Sequence, residues 1–112
     1  MKISSKAAVV LTTASSVKEA RRLAHLLLEG RAVACATLVP RVESRYRWKG
    51  KIECSSESLL LLKTTVRALG RLKKLLARHH SYEVPELLAV HVDDGLRPYL
   101  NWVAEASASR AR

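Results

Sequence analysis

Glu43-Ser44-Arg45-Tyr46-Arg47-Trp48-Lys49-Gly50-Lys51-Ile52-Glu53 is the stretch on which the reading of this chain turns. Apolar segments flank it, residues 33–39 before and 59–62 after. Gly50 tolerates the positive φ that a two-residue hairpin turn demands, so the pattern predicts a long β-hairpin with its tip at Lys49-Gly50. In that register Trp48 faces Lys51 and Tyr46 faces Glu53 on one side. Arg45 and Arg47 share the other side with Ile52 and Cys54. The aromatic and acidic side has two readings: the lining of a cleft, or plain cross-strand packing.

Working outward, residues 7–11 form a continuous apolar run, predicted as a strand covered on both faces. Ser16-Val17-Lys18-Glu19 matches a capping box at a helix start. Val17, Ala20, Leu23, Ala24, Leu27 and Leu28 then recur at helical spacing, and Gly30 supplies the stop. Residues 32–39 read as a second strand, which Pro40 marks as an edge or a bulge. A third strand spans 51–64, polar first and then Leu59-Leu60-Leu61-Leu62. Thr65 can cap a second helix with Val66, Leu69, Leu72, Leu75 and Leu76 as its buried stripe. Residues 86–92 read as a fourth strand, 93–95 as a turn, and Pro98 opens a short third helix. Segments 1–6 and 107–112 are expected to be frayed tails of a single domain spanning 1–112.

The order β-α-β-β-α-β plus a terminal helix is the split βαβ of an α+β, ferredoxin-like sandwich: a four-stranded antiparallel sheet with two helices on one face. Two helices leave the other face open, and strands two and three are too long for a small sheet. An exposed apolar face and projecting strands are a liability in a monomer, so self-association through the hairpin is expected.

Composition narrows the functional classes. Hydrophobic residues make up 48%, and Phe is absent, so Leu, Val and Ala must fill the core. The net charge of +10 favours anionic partners without identifying one. Nucleic-acid recognition of the kind ferredoxin-like modules perform needs aromatics on the middle strands, and these are missing here, which leaves only loose electrostatic binding. Two cysteines, far apart in the hairpin register, do not make a disulfide framework. With no apolar leader and no run long enough to span a bilayer, a cytoplasmic protein without a membrane partner is expected.

His79-His80, at the exit of the second helix, is the leading candidate for metal ligation, since adjacent imidazoles can point differently and suit copper or zinc. The alternative is a pair of solvent or capping groups favoured by the helix dipole. His25 and His91 read as structural, Cys35 as an inert small hydrophobe in an apolar strand, and Cys54 as the more exposed thiol, opposite Arg45. The chain contains no nucleophile elbow, phosphate-binding loop or dinucleotide-binding glycine pattern, so no enzymatic activity is indicated.

Several segments together resemble the CutA family of divalent-cation tolerance proteins. They are Ala34-Cys35-Ala36-Thr37-Leu38-Val39-Pro40; Tyr46-Arg47-Trp48-Lys49-Gly50-Lys51-Ile52-Glu53; Leu62-Lys63-Thr64; His79-His80-Ser81-Tyr82-Glu83-Val84-Pro85-Glu86; and Tyr99-Leu100-Asn101-Trp102. The resemblance runs in order from about residue 8 to residue 103. It implies a ferredoxin-like homotrimer joined through the hairpin and similar to the PII signalling trimers. It also implies a non-catalytic role in divalent-metal, chiefly copper, tolerance or response. His79 and His80 match a pair to which copper binding is assigned in some members. Those members carry a Cys where Thr12 stands here, and a Pro usually stands where Ser81 follows the pair. Tyr46, Trp48, Lys63, Tyr82, Glu86 and Trp102 match recurrent positions, expected with Glu53 to line an intersubunit cleft. The alternative function is a PII-like trimeric sensor that binds a small anion or nucleotide in that cleft.

Overall fold

The computed structural model describes residues 6–109, and the expected tails at 1–5 and 110–112 lie outside them. The elements follow in the order β1 (Ala7–Ala14), α1 (Val17–Glu29), β2 (Cys35–Trp48), β3 (Lys51–Thr65), a 3-10 turn (Val66–Ala68), α2 (Leu69–His79), β4 (Leu88–His91) and α3 (Arg97–Ala106). The four strands form one sheet in the order β2-β3-β1-β4, every neighbouring pair antiparallel. This is the ferredoxin-like arrangement of the α+β class.

The hairpin register follows from its turn. Lys49 and Gly50 both have positive φ, 50° and 80°, the geometry whose twist matches two paired strands. Trp48 pairs with Lys51, Tyr46 with Glu53 and Arg45 with Cys54. At the other end of the hairpin, the pairing slips by one residue between Val39 and Val42, where Arg41 takes φ 55°. Pro40 sits in that bulge on an edge strand, the two places that tolerate a missing donor. The extra residue reverses the parity of β2. Val42, Ser44, Tyr46 and Trp48 therefore face the same side of the sheet as Val39 and Cys35.

That side is the open one. Along β1, Ala8, Val10 and Thr12 are fully buried under the helices, whereas Val9 and Leu11 are only partly covered. The expectation of a strand covered on both faces therefore fails within one chain: α1 and α2 pack on one side, and α3 reaches only part of the other. The core is the helix side, where Val10, Leu23, Leu27, Leu60, Leu62 and Leu72 are all without exposed surface. Each such side chain contributes about 1.5–3 kcal/mol relative to an exposed one. Val39, Leu88 and Val90 on the opposite side remain more than a third exposed.

Several local expectations change. Glu19 does not close the capping box on Ser16. The Ser16 hydroxyl accepts from the Glu19 amide at 3.0 Å, but the Glu19 carboxylate reaches past it to Ser15. Gly30 has φ −78°, so it does not end α1 by a left-handed turn; that conformation falls to Arg31, at 56°. Gly30 is small because a Cβ there would meet Leu75 Cδ1 at 2.7 Å. Thr65 caps the 3-10 turn ahead of α2, accepting from the Ala68 amide at 3.3 Å. Val66, assigned to the buried stripe, is exposed, and the fourth strand is only four residues long. Ser107 is not part of a frayed tail: it is buried, and its carbonyl accepts from Arg71 at 2.8 Å.

Candidate functional site

At the hairpin end of the open face lies a concavity of about 840 Å³. Parity of the bulged strand brings Ser44, Tyr46 and Trp48 to it, β3 adds Ser55 and Glu57, β1 adds Thr13, and the loop after α2 adds Tyr82 and Glu86. Its chemistry centres on Glu57, a carboxylate almost without exposed surface. The Tyr82 hydroxyl donates to Glu57 Oε2 at 2.5 Å. Burial, and then the Glu57 charge, hold the Tyr82 phenol well above its ordinary range. The same two causes raise the Glu86 carboxyl. Two carboxylates thus face one phenol in a partly dry space, and ionising both at once is unfavourable without a cation.

The loop that carries Tyr82 is fixed from below by a buried knot. The His80 ring lies at the end of α2 with no side-chain exposure. Its Nε2 donates to the Thr13 carbonyl at 2.7 Å, and its Nδ1 accepts from the Tyr82 amide at 3.0 Å, which assigns the neutral Nε2–H tautomer. Beside it, Glu19 accepts from the Ser15 amide at 3.0 Å, the Ser15 hydroxyl at 2.8 Å and the Ser81 amide at 2.9 Å. Burial alone would push the Glu19 carboxyl up, but the bonds from Ser15 and Ser81 together outweigh it and hold the group at about 2. Glu19 and His80 therefore clamp the end of α1, the end of β1 and the entry to the 81–86 loop.

This arrangement bears directly on the expected metal pair. Both His80 nitrogens are committed, so a metal at His79–His80 would require the ring to leave its buried position. His79 is half-buried, and its carbonyl accepts from Arg22 at 2.9 Å. Thr12 is fully buried, and its hydroxyl lacks any hydrogen-bond partner; it offers no thiolate for Cu(I). Among the described residues no group of three or more His, Cys, Asp or Glu is placed to hold an ion. The imidazole pair therefore does not fit a metal in this conformation.

The residues assigned to one cleft fall into two clusters. Tyr46, Trp48, Tyr82 and Glu86 line the hairpin concavity, and Glu53 lies exposed on the hairpin beside it. Lys63 and Trp102 sit at the opposite end of the sheet. Six residues of β3 separate Glu57 from Lys63, about 20 Å at strand rise. There, Lys63 Nζ donates to Thr37 and lies 3.8 Å from Cys35 Sγ. Tyr99 stacks at an angle on Trp102 with centroids 5.6 Å apart, and burial, then contact with Cys35, raises its phenol. Cys35 is thus a half-exposed thiol in a polar cluster rather than an inert core residue. Cys54 is an exposed free thiol, and His25 and His91 are surface groups rather than core ones. Sequence reasoning missed Glu57 and Glu19. The signal for Glu57 was available: a carboxylate on the aromatic side of the predicted hairpin, two pairs beyond Tyr46.

A family model described as CutA1 divalent ion tolerance protein matches residues 8–106. The divalent-cation tolerance protein CutA of Thermus thermophilus is 43% identical over 97 residues, covering 87% of this chain and 94% of that one. Its crystal structure superposes with a TM-score of 0.89 at 41% identity, over 91% and 99% of the two chains. The structure described as the periplasmic divalent cation tolerance protein CutA from Archaeoglobus fulgidus gives 0.88 at 31% identity, over 91% and 99%. The PII-like protein CutA from Nostoc sp. PCC 7120, in apo form, gives 0.85 at 33% identity, over 92% and 99%.

Proposed function

The chain belongs to the CutA1 divalent ion tolerance family, and we propose that it works as a homotrimeric, non-catalytic protein of divalent-cation response in the cytoplasm. The observation that carries this reading is the division of one open sheet face into two half-sites. Tyr46, Trp48, Glu57, Tyr82 and Glu86 stand at one end, and Lys63, Tyr99 and Trp102 at the other. An uncovered apolar strip of Val39, Leu88 and Val90 accompanies them. One subunit cannot bring the two ends together, whereas a neighbour laid against the strip sets its Lys63 end against the carboxylate end and completes a cleft. Support for a cytoplasmic setting is limited to the two free thiols and to the absence, among the described residues, of a helix long and apolar enough to cross a membrane.

In this reading Glu57 and Glu86, and not His80, meet the ion. Carboxylate oxygens suit hard or borderline divalent cations more than Cu(I), and a cation between the pair removes the cost of ionising both. Isothermal titration of chelator-stripped protein with Zn(II) and Cu(II) tests it. Glu86→Gln is expected to weaken binding at least about tenfold, the size of one lost charge-assisted ligand, with His79→Ala unchanged. The reverse pattern would return the ion to the imidazoles. Arg45, Arg47 and Trp48 border the same concavity, which supports a small-anion or nucleotide sensor as the second reading. A thermal-shift series with nucleotides separates the two, since a specific ligand raises stability by mass action.

A further inference from the structure

The helix layer carries most of the chain's unexplained charge. The solvent sides of α1, the 3-10 turn and α2 present Lys18, Arg21, Arg67, Lys73, Lys74 and Arg78, all exposed and none in an ion pair among the described residues. The acids of this layer do not offset them: Glu19 is buried in the loop clamp, and Glu29 pairs with His25 at 3.4 Å. α2 contains no acid at all. Lys74 and Arg78 stand one turn apart, about 6 Å, and Arg67 about two turns before Lys74, so the charges form a row.

Gly70 lies in that row and has no role in the fold. A Cβ there would meet nothing within 4 Å, and its backbone has no positive φ. A helical glycine lowers helix stability relative to alanine, and neither packing nor turn geometry explains this one. It leaves a bare stretch of backbone between cations, open to close approach from outside the chain.

We propose that the α1–α2 face is a docking surface for the phosphodiester backbone of duplex nucleic acid, bound without base recognition. Charge complementarity carries the choice of partner: a row of extended cations with no acids matches a regular polyanion. A membrane fits less well, because α1 and α2 have already spent their apolar sides on the sheet. Only Leu28 and Val66 are large, apolar and exposed there, and the exposed Tyr46, Trp48, Tyr99 and Trp102 belong to the opposite side. The surface faces away from the open sheet face, so it persists whether or not the subunits associate there.

Fluorescence anisotropy with a labelled 20-base-pair duplex between 50 and 200 mM NaCl tests the proposal. Log affinity is expected to fall linearly with log salt, with a slope of about −4 to −5 for five or so phosphate contacts. Lys74→Glu/Arg78→Glu is expected to lose at least about tenfold, while Lys49→Glu/Lys51→Glu, the same charge change at the hairpin tip, stays within about twofold. Thermal melts of both variants confirm that these exposed substitutions leave the fold intact. Equal losses in the two variants, or no binding at 50 mM, would overturn the proposal. So would displacement of the duplex by polyglutamate at equal charge, or tighter binding to phosphatidylserine vesicles, which would make the partner an acidic protein or a membrane.

Discussion

The two faces of one sheet are built from the same residues and meet opposite fates. Leu60 and Leu62 on β3 have no exposed surface, while Leu59 and Leu61 between them are only partly covered. Val10 on β1 is fully buried, and its neighbours Val9 and Leu11 are not. Residue type cannot distinguish these positions, because a run of four leucines reads the same from either side. The difference lies in what the chain can cover: two amphipathic helices pack on one side and one short helix on part of the other. A face composed like a core but left uncovered by its own chain is a face prepared for another copy.

Substitutions across this boundary should separate the two faces by size of effect. Leu62→Ala on the closed side is expected to cost about 2–5 kcal/mol in chemical denaturation, a transfer loss plus a cavity. Leu61→Ala, under dilution that disperses any assembly, is expected to cost about 1 kcal/mol or less, since half of that side chain already meets water. Equal costs would mean that the open face is not open.

The clamp under the site should give the next largest effect. The Glu19 carboxyl is held at about 2, below its ordinary 4.5. Its contribution is therefore complete above about pH 4.5 and is lost as the pH falls toward 2. Linkage puts it in the range of 2–3 kcal/mol, about the most that such a shift allows. Glu19→Gln is expected to lose that amount at neutral pH and to flatten the acid limb of stability between pH 4.5 and 2. The smallest effect has the opposite sign. Thr12→Val removes a buried hydroxyl that has no partner and keeps the shape, so it is expected to gain about 1 kcal/mol in the same assay.

These contrasts also mark where the sequence was legible. The hairpin was legible to the residue, since turn geometry at Lys49-Gly50 sets every pair down the ladder as far as the bulge, and Pro40 announced the bulge. α1 was legible from its apolar spacing. The cover of β1 was not, because a continuous apolar strand does not state whether its own chain or another supplies the second layer. Nor was the clamp: Glu19 and Ser81 are 62 residues apart, and no local pattern announces that a capping-box glutamate will turn away from its helix to hold a distant loop. The His79-His80 pair was conspicuous in sequence for the same reason that it misled. Adjacency suggested shared ligation, whereas one ring is sealed into the sheet edge and the other is left half in solvent. Tyr46, Trp48, Tyr82 and Glu86 were placed together correctly, but Lys63 and Trp102 were not, because a set of residues completed between subunits looks the same in sequence as one completed within a single chain.

Sedimentation equilibrium of the wild type beside Val90→Asp, with the fold of both checked by circular dichroism, tests the account most directly. A charge at the centre of the open strip should disperse an assembly held by that strip and leave the helix side untouched. The account predicts three times the 12.4 kDa chain mass for the wild type and a folded 12.4 kDa monomer for the variant. A wild type that sediments as a folded monomer, or a variant that keeps the full assembly, would contradict it.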